Sequence, residues 1–247
     1  MQSRSLKNLL NSVYQSHNHY SMSALPPPVG EVCCVFTDII DSTNIWAYSQ
    51  RAMRTALTIH DSIIRAELVN FNGYEVKTLG DGFLASFSTP ESALKFCFST
   101  QKKLQSVVWP REILDYTLQS TYWSGHTEHQ PRGLRVRMGI HFGAPFECSL
   151  NYLTGRMDYY GYAVNIAARI HGEAEADEIA LSDDFITELY RRQTGKRVPA
   201  NYLTHQLRAR ITSALFEEAE FRVRSKGLRS LKGVHNPQHI FLIVLRT

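Results

Sequence analysis

The run Val32-Cys33-Cys34-Val35-Phe36 constrains the fold more than any other stretch of the chain. Five apolar residues in succession leave no face for water, so the segment reads as a central strand buried on both sides. Such a strand needs neighbours, and the sequence supplies them in a definite order. From about Gln50 to Val69, Met53, Leu57, Ile64 and Leu68 recur at helical spacing, and Asn72-Gly73 closes the helix with a turn. Tyr74–Thr78 and Phe83–Phe87 then suit two strands joined by Leu79-Gly80-Asp81-Gly82, a hairpin signal. Thr89-Pro90-Glu91 opens a second helix, with Thr89 as its cap and Pro90 in its first turn. Leu134–Ile140 alternates as a further strand. Strand, helix, hairpin, helix, strand is the order of an α+β, ferredoxin-like βαββαβ core, with its helices expected on one sheet face.

The remainder reads as additions to that core. Asp158–Gly161 suggests a turn before a helix carrying Val164, Ile166, Ala167, Ala168 and Ile170. Glu178–Leu181 suits a short strand, Ser182 caps a helix through about Tyr190, and Phe221–Arg224 and His239–Leu245 suit strands. The stretch 108–133 has no clear period and is expected to be an insertion or surface excursion, with a small helix near Ile113–Leu118. Residues 1–28, which end in Pro26-Pro27-Pro28, read as a flexible lead-in or linker to one domain over 29–247.

Composition narrows the function. There are 27 basic and 23 acidic residues, a formal charge of +4. This weak excess suits an anionic ligand, whereas the lack of a dense basic tract argues against nucleic acid. No 18-residue apolar run exists, so no transmembrane segment is expected. Cys33, Cys34, Cys97 and Cys148 show no paired spacing and read as buried small hydrophobes in a reducing compartment.

Two carboxylates carry the chemistry. Asp38 follows the first strand and Asp81 sits in the hairpin turn, both expected at strand-to-turn junctions. If the first strand lies beside the hairpin, both emerge at one end of the sheet, where two hard oxygen ligands suit Mg²⁺ completed by phosphates. Taken singly, an Asp in a turn more often caps or bonds its own backbone. Ile39-Ile40-Asp41-Ser42-Thr43 presents successive backbone N–H groups ahead of a helix, which suits either a phosphate cradle or a plain capped helix start. Asn165 and Arg169, four apart, share one helix face. His141 invites a general-base reading, but a structural role is preferred, and His126, His129 and His171 show no metal-ligand spacing.

The stretches VFTDIIDST, GYEVKTLGDGF, LRVRMGIHFG and RMDYYGYAVNIAARI, in that order and spacing, resemble the catalytic domain of class III adenylyl cyclases, especially those of fungi and some protozoa. The resemblance runs from about Glu31 to Phe185 and more loosely through the LKGV of Leu231 to Val234. It implies the class III nucleotidyl cyclase fold and conversion of ATP to 3′,5′-cyclic AMP. It further implies two Mg²⁺ ions, with Mn²⁺ as substitute, held by Asp38, Asp81 and the backbone of Ile39. Lys77 and Asp158 would read the base, Asn165 would orient the ribose, Arg169 would stabilise the transition state, and Arg137 would bind phosphate. Thr43 lies in the phosphate loop, and Lys232 is the nearest match to a phosphate-binding lysine.

The family works as head-to-tail dimers with shared active sites. This chain matches both residue sets, which implies a homodimer with two complete sites. Relatives often sit in much longer, membrane-associated proteins with regulatory regions, so the resemblance implies a cytoplasmic catalytic domain of such a parent. Adenine offers an N6 donor and an N1 acceptor, which complement a carboxylate and an ammonium. Glutamate and cysteine, typical of guanylyl relatives, are absent from these two positions, which favours ATP.

Overall fold

The computed structural model describes residues 25–124, 133–198, 206–207, 210–211, 214 and 221–245. The first strand, β1 (Val32–Ile39), is three residues longer than the apolar run, and Val32, Cys33, Cys34, Val35, Phe36 and Ile39 are all buried. After it come α1 (Ser42–Tyr48), α2 (Gln50–Asn70), the hairpin β2 (Tyr74–Leu79) and β3 (Gly82–Phe87), and α3 (Pro90–Ser106). Then follow α4 (Arg111–Ser124), β4 (Val136–Gly143), the hairpin β5 (Glu147–Asn151) and β6 (Arg156–Tyr160), α5 (Tyr162–His171), β7 (Glu178–Ser182), α6 (Asp183–Thr194), β8 (Phe221–Arg229) and β9 (Gln238–Leu245).

Seven strands form one sheet in the order β2-β3-β1-β4-β7-β9-β8. β1 pairs antiparallel with both β3 and β4, and β2 with β3, which is the ferredoxin-like arrangement the element order predicted. β7 joins β4 in parallel, and β9 and β8 extend that edge antiparallel. The helix starts follow their caps: Ser49 Oγ accepts from Ala52 N, Thr89 Oγ1 from Ser92 N, and Ser182 Oγ from Phe185 N.

Helices cover both faces of the sheet, not one as expected. Alternate residues of β1 point opposite ways, so Cys33, Val35 and Ile39 join the core under α2, α3 and α6. Val32, Cys34 and Phe36 join a second core with Val164 and Ala167 of α5. The close fit of α5 needs Gly139 on β4, where a Cβ would lie 2.3 Å from the His171 Cα.

Two further expectations change. The excursion after α3 is not purely superficial: Trp109 and Ile113 are buried in the main core, and the indole N–H of Trp109 donates to the Leu104 carbonyl at 2.9 Å. Residues 125–132 of that stretch, and residues 1–24 of the lead-in, lie outside the described residues. Cys33, Cys34 and Cys97 are buried, but Cys148 on β5 is exposed, and all four are free thiols. Among the described residues, no helix is long and apolar enough to cross a membrane.

His141 on β4 is buried and hydrogen-bonded through Nδ1 to Ser182 Oγ at 2.9 Å, as a structural histidine would be. Burial pushes its imidazole down from the usual 6.5 to about 4. The unfolded chain therefore takes up this proton at a higher pH than the folded chain. The contribution to stability is complete above pH 6.5 and falls as the pH drops towards 4, by about 3 kcal/mol. Urea titrations at pH 7 and pH 4.5 should show this loss, and His141→Gln should remove much of the difference between the two.

Candidate active site

Asp38 lies within β1, not in the turn after it, and is paired in register with Arg137 of β4. Its side chain shares the α5 side of the sheet with Cys34 and Phe36. A carboxylate is tolerated there because Arg137 donates to its Oδ2 from Nε at 3.0 Å and from Nη2 at 2.6 Å. His171, at the end of α5, brings Nε2 to 3.8 Å of the same oxygen. The His171 ring and the Arg137 guanidinium together hold the Asp38 carboxyl below the usual carboxylate range, against the opposing effect of partial burial. Sequence spacing gave no sign of His171; only the packing of α5 on β1 and β4 brings it here.

Asp81 stands in the β2–β3 turn, between Gly80 with φ +71° and Gly82. The turn presses against the end of β1. A Cβ on Gly82 would lie 2.1 Å from the Thr37 carbonyl oxygen and 3.5 Å from the Asp38 Cα. The two aspartates are thus carried on directly touching backbone. Asp81 Oδ2 is buried with no hydrogen-bond partner, an arrangement that is costly unless something binds it. Among the described residues there is no cluster of three or more His, Cys, Asp or Glu side chains that could hold a metal. An orphaned carboxylate oxygen beside a second carboxylate fits a cation that takes its other ligands from phosphates and water. Ile39 is buried at the last position of β1, so only its carbonyl could serve such a cation.

The candidate phosphate loop follows. Asp41 adopts the left-handed conformation, φ 63°, and turns the chain into α1. Its side chain does not cap the helix. Oδ1 accepts from Asn44 Nδ2 at 2.5 Å, and Oδ2 accepts from the Tyr116 hydroxyl of α4. The first N–H groups of the helix therefore lack a side-chain cap, and Thr43 is exposed beside them. The Tyr116 contact, which fastens the excursion helix to this loop, has no signature in the sequence.

A second group of residues gathers around β6. The β5–β6 hairpin leans on the edge strand β2: Arg156 Nη1 donates to the Glu75 carbonyl at 2.6 Å, and Met157 N to the Tyr74 hydroxyl at 2.8 Å. Asp158 is thereby in a strand, paired with Ser149, and not in the expected turn. It is buried, and Lys77 Nζ lies 2.7 and 2.8 Å from its two oxygens. Just beyond, Asn165 and Arg169 are exposed on α5. Leu231 is buried against Ile166 and Ile170, which fixes the β8–β9 connection. Arg169 Nε then donates to the Lys232 carbonyl at 3.1 Å, so Lys232, assigned only by loose register, stands next to Arg169.

The predicted site residues therefore form two groups. Asp38, Asp81 and Arg137 make one; Lys77, Asp158, Asn165, Arg169 and Lys232 lie along the other. Among the described residues, no hydrogen bond or ion pair joins the two groups.

Comparison with known proteins assigns the family. Residues 25–205 match the family described as the adenylate and guanylate cyclase catalytic domain. This chain belongs to the class III nucleotidyl cyclases. As such a catalytic domain it is 39% identical over 226 residues to an adenylate cyclase of Neurospora crassa, covering 89% of this chain and 10% of that protein. It is 46% identical over 163 residues to an adenylate cyclase of Mycosarcoma maydis, covering 66% of this chain and 6% of that one. The chain thus spans about a tenth or less of these relatives. In fold, this cyclase domain is similar to an adenylate cyclase from Trypanosoma brucei in its monomeric state, with a TM-score of 0.68, 24% identity, and coverage of 88% and 90% of the two chains. It is also similar to the catalytic core of a rhodopsin-guanylyl cyclase with converted specificity in complex with ATPalphaS, with a TM-score of 0.60, 18% identity, and coverage of 88% and 97%.

Proposed function

We propose that this domain is an adenylate cyclase, converting ATP to 3′,5′-cyclic AMP and pyrophosphate at sites shared between two copies of the chain. The observation that carries the choice of ATP is the Lys77–Asp158 pair, an ammonium and a carboxylate held together beside the α5 residues. Asp158 accepts from the adenine N6 amino group, and Lys77 donates to N1. Guanine would set its O6 against Asp158, a mismatch of roughly 1–3 kcal/mol. The fungal relatives, themselves described as adenylate cyclases, favour the same reading.

In the reaction the ribose 3′-oxygen bonds to the α-phosphorus, its proton leaves, and the bond to the pyrophosphate oxygen breaks. Asp38, Asp81 and the Ile39 carbonyl would hold two Mg²⁺ ions, for which Mn²⁺ could substitute; such ions would lower the pKa of the 3′-hydroxyl and neutralise charge on the phosphates. Arg137, Thr43 and Lys232 bind the triphosphate chain. Asn165 orients the ribose, and Arg169 spreads positive charge over the oxygens of the transferring phosphoryl group. Asn165 and Arg169 are exposed and unlinked to the aspartates within one chain, which supports an active site completed by a second copy. This reading puts the domain in the cytoplasm with ATP, as part of a longer parent whose other regions supply regulation and any membrane attachment.

The test is turnover of ATP and GTP by the purified chain with Mg²⁺ and with Mn²⁺. A kcat/KM ratio of about tenfold or more in favour of ATP is expected. Lys77→Ala and Asp158→Ala should collapse that ratio. Equal or preferred use of GTP by the unaltered chain would sink the base assignment.

A further inference from the structure

An ionised carboxylate offers about four acceptor positions, two on each oxygen. On Asp158 all four are taken. Oδ1 accepts from Lys77 Nζ at 2.7 Å and from the Tyr159 N–H at 2.9 Å. Oδ2 accepts from Lys77 Nζ at 2.8 Å and from the Tyr160 hydroxyl at 3.1 Å. An incoming base therefore finds no vacant lone pair on Asp158, and one of these four donors must yield.

The surroundings single out Lys77. The Tyr159 N–H is backbone in a paired strand, and its side chain turns the other way, buried, with the hydroxyl donating to the Pro28 carbonyl at 2.6 Å. The Tyr160 backbone is fixed as well: its carbonyl accepts from Phe146 N at 2.8 Å, and the residue pairs with Glu147. Strand alternation puts Tyr160 on the same side as Asp158. Its ring lies beneath the Lys77 ammonium, 5.5 Å from Nζ to the ring centroid. Lys77 is the flexible donor of the set. It can redirect one N–H to a ring-nitrogen acceptor on the base, and this vacates one lone pair for an exocyclic amino group. One bond is broken and two are made.

We propose that Tyr160 is a positioning residue that sets base selection. Its hydroxyl pins Oδ2 of Asp158 while its ring steadies Lys77, so the exchange opens an acceptor facing the base. The proposal rests on the adenine reading above. With the hydroxyl removed, the carboxylate is free to rotate away from a guanine O6, and Lys77 can donate to that oxygen instead. The preference for adenine then weakens on both sides, since ATP loses a pre-set acceptor and GTP loses a repulsive one.

The experiment compares the unaltered chain with Tyr160→Phe, which keeps the ring, and Tyr160→Leu, which keeps neither ring nor hydroxyl. Lys77→Ala and Asp158→Ala serve as references. For Tyr160→Phe, KM for ATP should rise about fivefold with kcat held within about twofold, and the ATP-to-GTP ratio of kcat/KM should fall about five- to tenfold. Tyr160→Leu should lose at least as much. If Tyr160→Phe leaves the ratio unchanged while Lys77→Ala and Asp158→Ala lower it, the role of Tyr160 is overturned and the base reading stands. If none of the four changes moves the ratio, the base reading fails, and the role of Tyr160 fails with it. Equal losses with both nucleotides, together with a lower melting temperature, would mark Tyr160 as merely structural and overturn the proposal.

Discussion

Asp81→Ala is expected to lower turnover by roughly 10³-fold while leaving the fold intact and slightly more stable. The two effects have opposite signs for one reason. Asp81 Oδ2 is buried without a partner, so the free chain bears the desolvation of that oxygen with nothing in return. Deleting it should relieve about 1 kcal/mol. A turn aspartate retained for its backbone bonds would behave in the opposite way, losing stability on substitution. Activity assays on Asp81→Ala, beside its urea midpoint, separate the two readings. Nearly normal turnover would remove Asp81 from the metal site, and a lower midpoint would make it a turn former. Titration of the unaltered chain with Mn²⁺ alone should raise the midpoint, and Asp81→Ala should abolish most of that rise.

The second large effect is recovery on mixing. Asp38→Asn and Arg169→Ala chains should each be nearly inactive alone, since each homodimer lacks the same group at both sites. Random pairing of equal amounts makes half of the dimers mixed, and each mixed dimer holds one intact and one doubly defective site. Activity should return to about a quarter of the unaltered level. This follows from the proposed sharing of each site between two chains, and within one chain no hydrogen bond or ion pair among the described residues links Asp38 to Arg169. Asp38 belongs with Asp81 and Arg137, whereas Arg169 belongs with Lys232. No recovery in a sample proven to contain mixed dimers would mean that each chain works with its own residues. Combining both substitutions in one chain and mixing it with unaltered chain gives the control. Its mixed dimers hold no working site if the groups act across the interface, and one working site if each chain works with its own residues.

Much of the fold was legible in the sequence, because the strong signals lie where both faces or a full helical stripe are buried. Gln50–Asn70, the β2–β3 hairpin and the capped start at Pro90 fall where the periodicity and turn chemistry put them. The failures share a cause. β5 is mostly exposed, and Glu-Cys-Ser-Leu-Asn alternates over only five residues, with Cys148 and Leu150 its sole apolar members, too short a signal to announce a strand. The sequence around Asp158 therefore suggests a turn, whereas its strand is held by backbone pairing and by contacts of Arg156 and Met157 to β2. The sequence puts Asp38 after the strand because a carboxylate inside a sheet is unfavourable. Arg137, almost a hundred residues later, makes it tolerable, and no local pattern reveals such a partner. The side taken by α5 is not legible, because amphipathicity shows that a helix has a buried face but not which side of a sheet it seeks. The candidate site residues come from the family motifs. Their supporting contacts from His171, Tyr116 and Tyr160 arise from packing alone.

The unequal burial of the four thiols has a practical consequence. Burial raises the pKa of Cys33, Cys34 and Cys97, so these thiols resist alkylation while the sheet is intact. Cys148 alone is exposed, and it sits opposite Tyr159 on the hairpin that carries Asp158. The native chain thus comes with a single attachment point for a fluorophore or spin label on the hairpin beside the Lys77–Asp158 pair. A maleimide reagent should add one mass increment to the folded protein and four in denaturant, and the first of these labels would report nucleotide arrival without any engineered cysteine.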